Sequence, residues 1–376
     1  MRRINTLFFF FSWILFLLIP GNVLAADIKI HFAGFAFRGS FDQIQANYPY
    51  SLEISREMVS DQRNVINATL VEKVKDLQLK NGQIVIGELA DLGDGSLTLA
   101  CSLDTELVSI EEYHDGFKIV IDLGAQALLF DYGNMRLTAS YPLMIELVDF
   151  VTDQPDEAMI RARIRDLLLT SKYGINLLND FVSIVSQVEL KKSYASAIKV
   201  TNVVVEKRAL EALSENFANN IDNFKMFVAQ SFGKYLSKNQ NAYILPYTKG
   251  SDIGNTMALR FSDARVFELT IPVPHYAVEL TVRGFKKVCA EEKAVGASWV
   301  YGAYTNIKIT QPALGKTYLD ERFQHAVSKI VSSNQKTVQD WPTYQNSLVA
   351  LFNDVTRQFG DKRQYRDVRY MIEQCR

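Results

Sequence analysis

The residues best suited to covalent catalysis are a serine and a lysine one helical turn apart. Ser231-Phe232-Gly233-Lys234 has the Ser-x-x-Lys spacing with which a lysine activates a hydroxyl group for acyl transfer. The Ser-Asp-Asn and Lys-Thr-Gly sequences that complete such sites do not occur in the chain. Ser231 and Lys234 therefore stand as candidate nucleophile and base of a hydrolase, against the simpler interpretation of a chance spacing.

The sequence motifs for phosphate binding and for metal binding are less complete than the serine–lysine motif. Gly315-Lys316-Thr317 follows a predicted strand, as in a phosphate-binding loop, but the glycine that such a loop needs five residues earlier is replaced by Thr310. The four histidines are scattered, and neither a His-Glu-x-x-His nor a Cys-x-x-Cys sequence occurs. We therefore predict no nucleotide, no metal ion and no other cofactor.

The chain contains three cysteines, and two of them are candidates for a disulfide bond. Cys101 lies in an apolar, strand-like run where a thiol usually behaves as a small buried hydrophobe. Cys289 follows a predicted strand and Cys375 is the penultimate residue, so in an oxidising compartment they could pair and attach the C-terminal tail to the second domain. The alternative is that all three are buried thiols.

The N-terminal segment has the pattern of a secretory signal peptide. Met1-Arg2-Arg3 is basic, residues 7–19 are apolar, Pro20-Gly21 breaks the helix, and small residues favour cleavage between Ala25 and Ala26. We expect a periplasmic or secreted protein, and the alternative is a retained N-terminal anchor. Chemistry that depends on ATP or NAD is disfavoured in such a compartment, because those cofactors are scarce there.

Charge and length narrow the class further. The formal charge is −1, and removing the leader with its two arginines takes it to −3, with acids and bases interspersed. Such a balance offers no basic surface for nucleic acid. The expected mature chain is long enough for two domains, and 48% hydrophobic residues favour a folded protein over a disordered one.

The elements that must position these residues occur twice in the same order: a strand, a helix, antiparallel strands and a closing helix. In the first half they are predicted at 28–37, 66–79, 83–150 and 157–169; in the second half they are predicted at 198–205, 209–236, 242–309 and 319–330. An extra helix at 174–190 separates the halves, and Trp341-Pro342 opens a C-terminal helix.

This order predicts an α+β fold of two tandem strand-helix-strands-helix modules, with antiparallel or mixed sheets and helices on one face. We divide the chain into a signal peptide (1–25), a first domain (26–170), a connecting helix and linker (171–195), a second domain (196–335) and a C-terminal helical extension (336–376). The element order of each half resembles that of the small α/β modules in the N-terminal domain of TolB and in CsgG-type outer-membrane secretion proteins. The resemblance implies no site residue.

Three functions stay open on this reasoning. The first is a non-enzymatic binding or assembly-accessory protein of the cell envelope, whose partner is an envelope or outer-membrane protein; we expect at most peripheral membrane contact. The second is a periplasmic hydrolase that uses Ser231 or a pair of carboxylates, whose separation only the fold can set. The third is a carrier of a lipid or apolar ligand, which requires an apolar cavity between a sheet and its helices.

Overall fold

The computed structural model describes residues 28–39, 41–59, 64–87, 89, 92–191, 193–248, 256–261, 263–333 and 338–376. Helices and strands are both abundant, 34% and 42%, and the predicted α+β class is confirmed. The strands are β1 Ile28–Arg38, β2 Gly82–Val85, β3 Leu97–Glu112, β4 Phe117–Asp131, β5 Arg136–Val151, β6 Ile198–Val205, β7 Thr256–Phe261, β8 Val266–Thr270, β9 Tyr276–Lys293, β10 Gly296–Gln311 and β11 Lys316–Ser332. The α-helices are α1 Phe41–Asn47, α2 Pro49–Ile54, α3 Val65–Val74, α4 Glu157–Leu169, α5 Leu177–Gln187, α6 Lys207–Leu210, α7 Glu215–Asn219, α8 Ile221–Gln240, α9 Trp341–Asp361 and α10 Arg366–Glu373.

The first sheet is a barrel of six strands with one additional strand. Its order is β2-β1-β3-β4-β5-β8-β7, and β7 pairs back onto β1, so the ring β1-β3-β4-β5-β8-β7 is closed. β1 runs parallel to β3, whereas β3, β4 and β5 form an antiparallel meander. β5 and β8 meet at a single residue pair, Arg136 and Thr270, which is the narrowest contact of the ring.

The second sheet repeats the arrangement of the first half. Its order is β11-β10-β9-β6, with β6 parallel to β9 and β9, β10 and β11 in an antiparallel meander. In each half, the first strand pairs in parallel with a later one, and this pairing contains a register shift. The shift lies between Phe32 and Gly34 in β1 and between Val200 and Asn202 in β6. The two halves therefore share a topology, as their common element order predicts.

The predicted closing helix at 319–330 is wrong, because this segment is part of strand β11. β11 pairs with β10 in antiparallel register from Gly296–Ser332 to Gln311–Lys316. Leu319, Phe323 and Val327 are spaced by four, a spacing that fits one face of a helix and also one face of a strand. The helical cover of this sheet comes instead from α9, which begins at Trp341 as predicted.

Two further segments of the predicted second domain behave differently from expectation. β7 and β8 belong to the first sheet, where they complete the barrel. The segment 242–245, predicted as a strand, makes an isolated bridge between Lys199 and Leu245. Strands from the second half of the sequence thus belong to the first sheet. The predicted boundary at 171–195 therefore does not separate two independent sheets.

The side chains form two hydrophobic cores. The first lies inside and around the barrel and includes Ile164 of α4 and Phe181 of α5, both fully buried. The second lies between the second sheet and helices α8 and α9, where Phe232 and Phe352 meet edge to face at 5.6 Å. A Cβ atom at Gly233 of α8 would lie in ordinary contact with the Ile244 side chain at 3.4 Å and with Pro142 of β5 at 3.8 Å, so α8 packs closely there. In the described part of the chain, no helix has the length and apolar character needed to cross a membrane.

Candidate binding cleft

The predicted serine–lysine pair does not form a catalytic site. Ser231 lies on the buried face of α8 with 1% of its surface exposed, and its Oγ has no hydrogen-bond partner among the described residues. Lys234 Nζ donates a hydrogen bond to the Met144 carbonyl oxygen at 2.9 Å. A nucleophilic serine needs a base within hydrogen-bond reach and a path for the substrate, and Ser231 has neither here.

The predicted Cys289–Cys375 disulfide is absent, because both residues and Cys101 are free thiols. Cys375 is buried beside Tyr243, whose amide donates to the Cys375 carbonyl oxygen at 3.2 Å. Tyr276, at the start of β9, lies close to Cys375. Cys289 is exposed thirteen residues further along that strand, a separation of about 40 Å in an extended chain. Burial raises the pKa of the Cys375 thiol to about 12, which keeps it protonated and unreactive.

The predicted signal peptide, residues 1–25, lies within residues 1–27, which are outside the described part of the chain. Cleavage between Ala25 and Ala26 therefore stays a prediction.

A cleft of about 710 Å³ lies between the outer end of the first sheet and the helical side of the second half. One wall consists of the ends of three neighbouring strands that extend beyond the barrel, and the opposite wall comes from the segment around α6 and α7 and from the start of α9. The wall segments are 107–110 of β3, 118–122 of β4, 146–148 of β5, 211–217 and 339–346.

Contacts between the two halves close one end of the cleft. Glu111, at the end of β3, is fully buried and pairs with Lys329 of β11 at 3.2 Å and with Lys118 of β4 at 3.3 Å. Gln339 Nε2 donates to the Ile110 carbonyl oxygen at 2.9 Å. These contacts attach the segment before α9 to the first sheet and so fix the distance between the cleft walls.

Two carboxylates face each other on the first-sheet wall of the cleft. Asp122 of β4 and Glu146 of β5 are directly opposite in the antiparallel register, a position that places Cβ atoms about 5 Å apart. Asp122 is 4% exposed, while Glu146 is exposed. Gln345 of α9 donates from Nε2 to Asp122 Oδ2 at 2.7 Å, while Oδ1 accepts no hydrogen bond from a described residue and stays open to the cleft. The Asp122 side chain is thus largely buried, with one carboxylate oxygen presented to the cleft.

Burial, followed by the charge of Glu146, raises the pKa of Asp122 to about 7. The hydrogen bond from Gln345 and the charge of Lys234 act in the opposite direction but do not compensate. Lys234 is itself half-buried, and burial lowers its pKa. Near neutral pH, Asp122 is therefore divided between its acid and carboxylate forms, and its ionisation depends on what occupies the cleft.

The charge of the lining is predominantly negative. Five carboxylates and one lysine line the cleft: Asp122, Glu146, Glu211, Glu215, Asp340 and Lys118. Lys118 is engaged by Glu111, and Asp340 is neutralised by Lys287 at 2.7 Å. The other four carboxylates have no ion pair within 4 Å in the described ranges. Apolar side chains flank them, namely Leu107, Val120, Val148, Leu213 and Phe217.

A second, much smaller cavity lies between the barrel and α8. Its volume of about 10 Å³ suffices for one water molecule. Gln126 Oε1, Gln230 Nε2 and the Tyr247 hydroxyl are buried there without hydrogen-bond partners among the described residues. This space between a sheet and a helix is too small and too polar for the lipid that the carrier hypothesis requires.

The sequence contained a weak signal for the residues of the cleft. β4 alternates apolar residues with polar ones, and Lys118 and Asp122 fall on its polar face. The position of Glu146 opposite Asp122 depends on the register of the β4–β5 hairpin, and Gln345 arrives from a helix more than 200 residues away. In the described residues, no three histidine, cysteine or carboxylate side chains converge as a metal site would require.

No protein-family model matches the chain, and no curated protein matches it. Among solved structures, the chain is similar to a neuraminyllactose-binding hemagglutinin homolog from Helicobacter pylori, at 10% identity and a TM-score of 0.26 over 48% of this chain and 92% of that one. It is also similar to an Ntf2-like protein involved in plasmid conjugation, at 10% identity and a TM-score of 0.13 over 64% of this chain and 80% of that one. Similarities at this level carry no functional argument.

Proposed function

We propose that the chain is an exported, non-enzymatic binding protein of the cell envelope, which holds a segment of a partner protein in the cleft between its two halves. The cleft is the observation that carries this proposal. Its volume of about 710 Å³ lies within the ~300–1,000 Å³ usual for binding sites, and both halves of the chain supply its walls. Placement in the envelope rests on the N-terminal sequence pattern.

Binding is favoured over serine hydrolysis by the surroundings of the candidate nucleophile. Ser231 is buried on α8, and the neighbouring Lys234 donates to a backbone carbonyl oxygen. The cleft contains polar groups and apolar walls side by side, which is the composition of a recognition surface.

A second candidate function is a carboxylate-dependent glycoside hydrolase. Asp122, with its pKa raised to about 7, is suited to act as a general acid opposite the Glu146 carboxylate. Retaining glycosidases place two carboxyl groups about 5–5.5 Å apart. The burial of Asp122 and its hydrogen bond with Gln345 leave little access for a glycosidic oxygen, so this function ranks second. Release of sugars from purified envelope polysaccharides, abolished by Asp122→Asn, would reverse the ranking.

The proposed function is tested by filling the cleft. Ser109→Trp places an indole group in the cleft lining, and the matched control Val266→Trp places one on the barrel surface, where Val266 is 45% exposed. Each variant and the parent protein are cross-linked in isolated envelopes, purified and analysed by quantitative mass spectrometry. We expect one or more envelope proteins to be recovered with the parent and with Val266→Trp but lost with Ser109→Trp. Equal recovery with all three proteins would refute the cleft as the binding site.

The export component is tested separately. N-terminal sequencing of the protein from fractionated cells is expected to begin at Ala26 in the periplasmic or secreted fraction. Recovery of the intact N-terminus from the cytosol would refute it.

A further inference from the structure

We infer that the cleft binds an extended peptide of the partner through a lysine or arginine side chain, and that Asp122 and Glu146 form the subsite for its positive charge. This inference rests on the proposed function, since it names the chemistry recognised within the same cleft.

Asp122 and Glu146 present two carboxylates to the cleft, and neither has an ion pair within 4 Å in the described ranges. Asp122 is 4% exposed and lines the cleft, and its one described hydrogen bond, from Gln345, engages Oδ2. Oδ1 is open to the cleft, and the Glu146 carboxylate lies opposite on the next strand, so the two acidic groups are presented together to a ligand that enters. Burying a charge is costly unless the charge is paired and hydrogen-bonded. An ammonium or guanidinium group between the two carboxylates would donate to Oδ1 and offset both charges.

The cations already present in the protein fill this role only at longer range. The charge of Lys234 acts on Asp122 and Glu146, but its Nζ donates to the Met144 carbonyl oxygen and forms no ion pair within 4 Å with any carboxylate in the described ranges. Lys118 pairs with Glu111 at 3.3 Å. Glu211 and Glu215, on the opposite wall, add two more exposed carboxylates without ion pairs in the part of the chain that the structure describes. The cleft therefore complements a ligand that brings its own positive charge.

The apolar walls indicate what carries that charge. Val120 and Val148 flank the carboxylates on the first-sheet wall, and Leu213 and Phe217 stand on the other side. Lysine and arginine bury a hydrocarbon stem against such surfaces while the charged end reaches polar groups. A free inorganic cation would leave these walls uncovered. An extended peptide with a basic residue between apolar neighbours satisfies both the carboxylates and the walls.

The same geometry makes recognition depend on pH. The groups that face Asp122 are Glu146 from β5, Gln345 from α9 and, at longer range, Lys234 and Tyr235 from α8; Leu107 from β3 is apolar. Burial and Glu146 raise the pKa of Asp122 to about 7. A bound cation favours the ionised form, so the peptide is expected to bind more tightly as the pH rises from 6 to 8.

The test uses three synthetic peptides that differ at one position. Acetyl-Gly-Ser-Val-Lys-Val-Leu-Ser-Gly-amide is compared with the same peptide carrying norleucine or glutamate in place of lysine, by calorimetric titration of the full mature chain. We expect the lysine peptide to bind at least tenfold more tightly than the norleucine peptide and the glutamate peptide to bind weakest. Glu146→Gln and Asp122→Asn are each expected to reduce the lysine preference below threefold, whereas the control Glu268→Gln, on the barrel, preserves it.

Failure of this inference is distinguishable from failure of the proposed function. If the lysine and norleucine peptides bind equally, or if the lysine peptide does not bind, the charge subsite is refuted, while the cleft itself is judged by the recovery of partners with Ser109→Trp. If the lysine preference survives both carboxylate variants, the subsite lies elsewhere. Glu146 is exposed, so Glu146→Gln gives a clear result even if Asp122→Asn alters folding.

Discussion

Replacing Asp122 with asparagine is expected to stabilise the fold at neutral and alkaline pH. The side chain is 4% exposed, and burial together with Glu146 raises its pKa from 3.8 to about 7. Asparagine has nearly the same shape and keeps an oxygen that can accept the hydrogen bond of Gln345. The substitution therefore removes the buried charge while preserving the contact between β4 and α9.

The direction and size of the effect follow from proton linkage. Because the pKa is higher in the folded chain than in the unfolded chain, the contribution of Asp122 to stability is fully present below pH 4 and is lost as the pH rises through 7. Each unit of pKa difference corresponds to about 1.4 kcal/mol. A difference of about three units predicts that Asp122→Asn gains about 2 kcal/mol over the parent at pH 5 and about 4 kcal/mol at pH 8.

The assay is urea unfolding of the parent, Asp122→Asn and the control Glu268→Gln at pH 5, 6, 7 and 8. The buried acids Asp104 and Glu106, whose pKa values burial raises to about 6 and about 7, titrate equally in all three proteins and cancel in the differences. The reasoning is refuted if Asp122→Asn is no more stable than the parent at pH 8, or if the difference between them does not grow with pH.

Three further predictions concern other contacts. Gly233→Val should destabilise the fold by about 1–3 kcal/mol in thermal unfolding, because the two methyl groups beyond the Cβ atom add volume where that atom would already contact Ile244 and Pro142; an unchanged melting temperature would contradict this. Lys329→Ala should cost about 1–3 kcal/mol in urea unfolding because it removes one of the two cations that pair with the fully buried Glu111, and an effect below 0.5 kcal/mol, the size typical of surface substitutions, would count against it. A maleimide reagent should label one thiol per native chain, Cys289, and all three after unfolding, as read by mass spectrometry; a native chain without reactive thiol would indicate that Cys289 is bonded.

Local patterns in the sequence predicted the elements that are determined locally. Residues 157–169 form α4 with the predicted bounds, since Asp156 caps the helix by accepting from the Met159 amide and the apolar residues recur at helical spacing. The residues of β11 show the limit of this reasoning. Their spacing fits both a helix and a strand, and the long antiparallel pairing with β10, which no local pattern reveals, decides between them.

The cleft could not be predicted for the same reason. Asp122 and Glu146 meet because of the register of one hairpin, and Gln345 reaches Asp122 because α9 packs across from the second half. The Ser-x-x-Lys sequence, by contrast, was visible but carries no site, because the packing of α8 turns Ser231 into the core. Residue spacing indicates which groups are available, and only the packing of the two halves brings them together.

The most direct test of the binding function is site-specific photo-cross-linking in intact envelopes. A benzoylphenylalanine residue is introduced at Val148, which lines the cleft and is 54% exposed, and separately at Val273, which is 75% exposed, is not part of the cleft lining and follows β8, whose last residue pairs with the first residue of β5. We predict that the Val148 position alone yields an adduct with an envelope protein. The same adduct from both positions, or an adduct from Val273 alone, would contradict binding in the cleft.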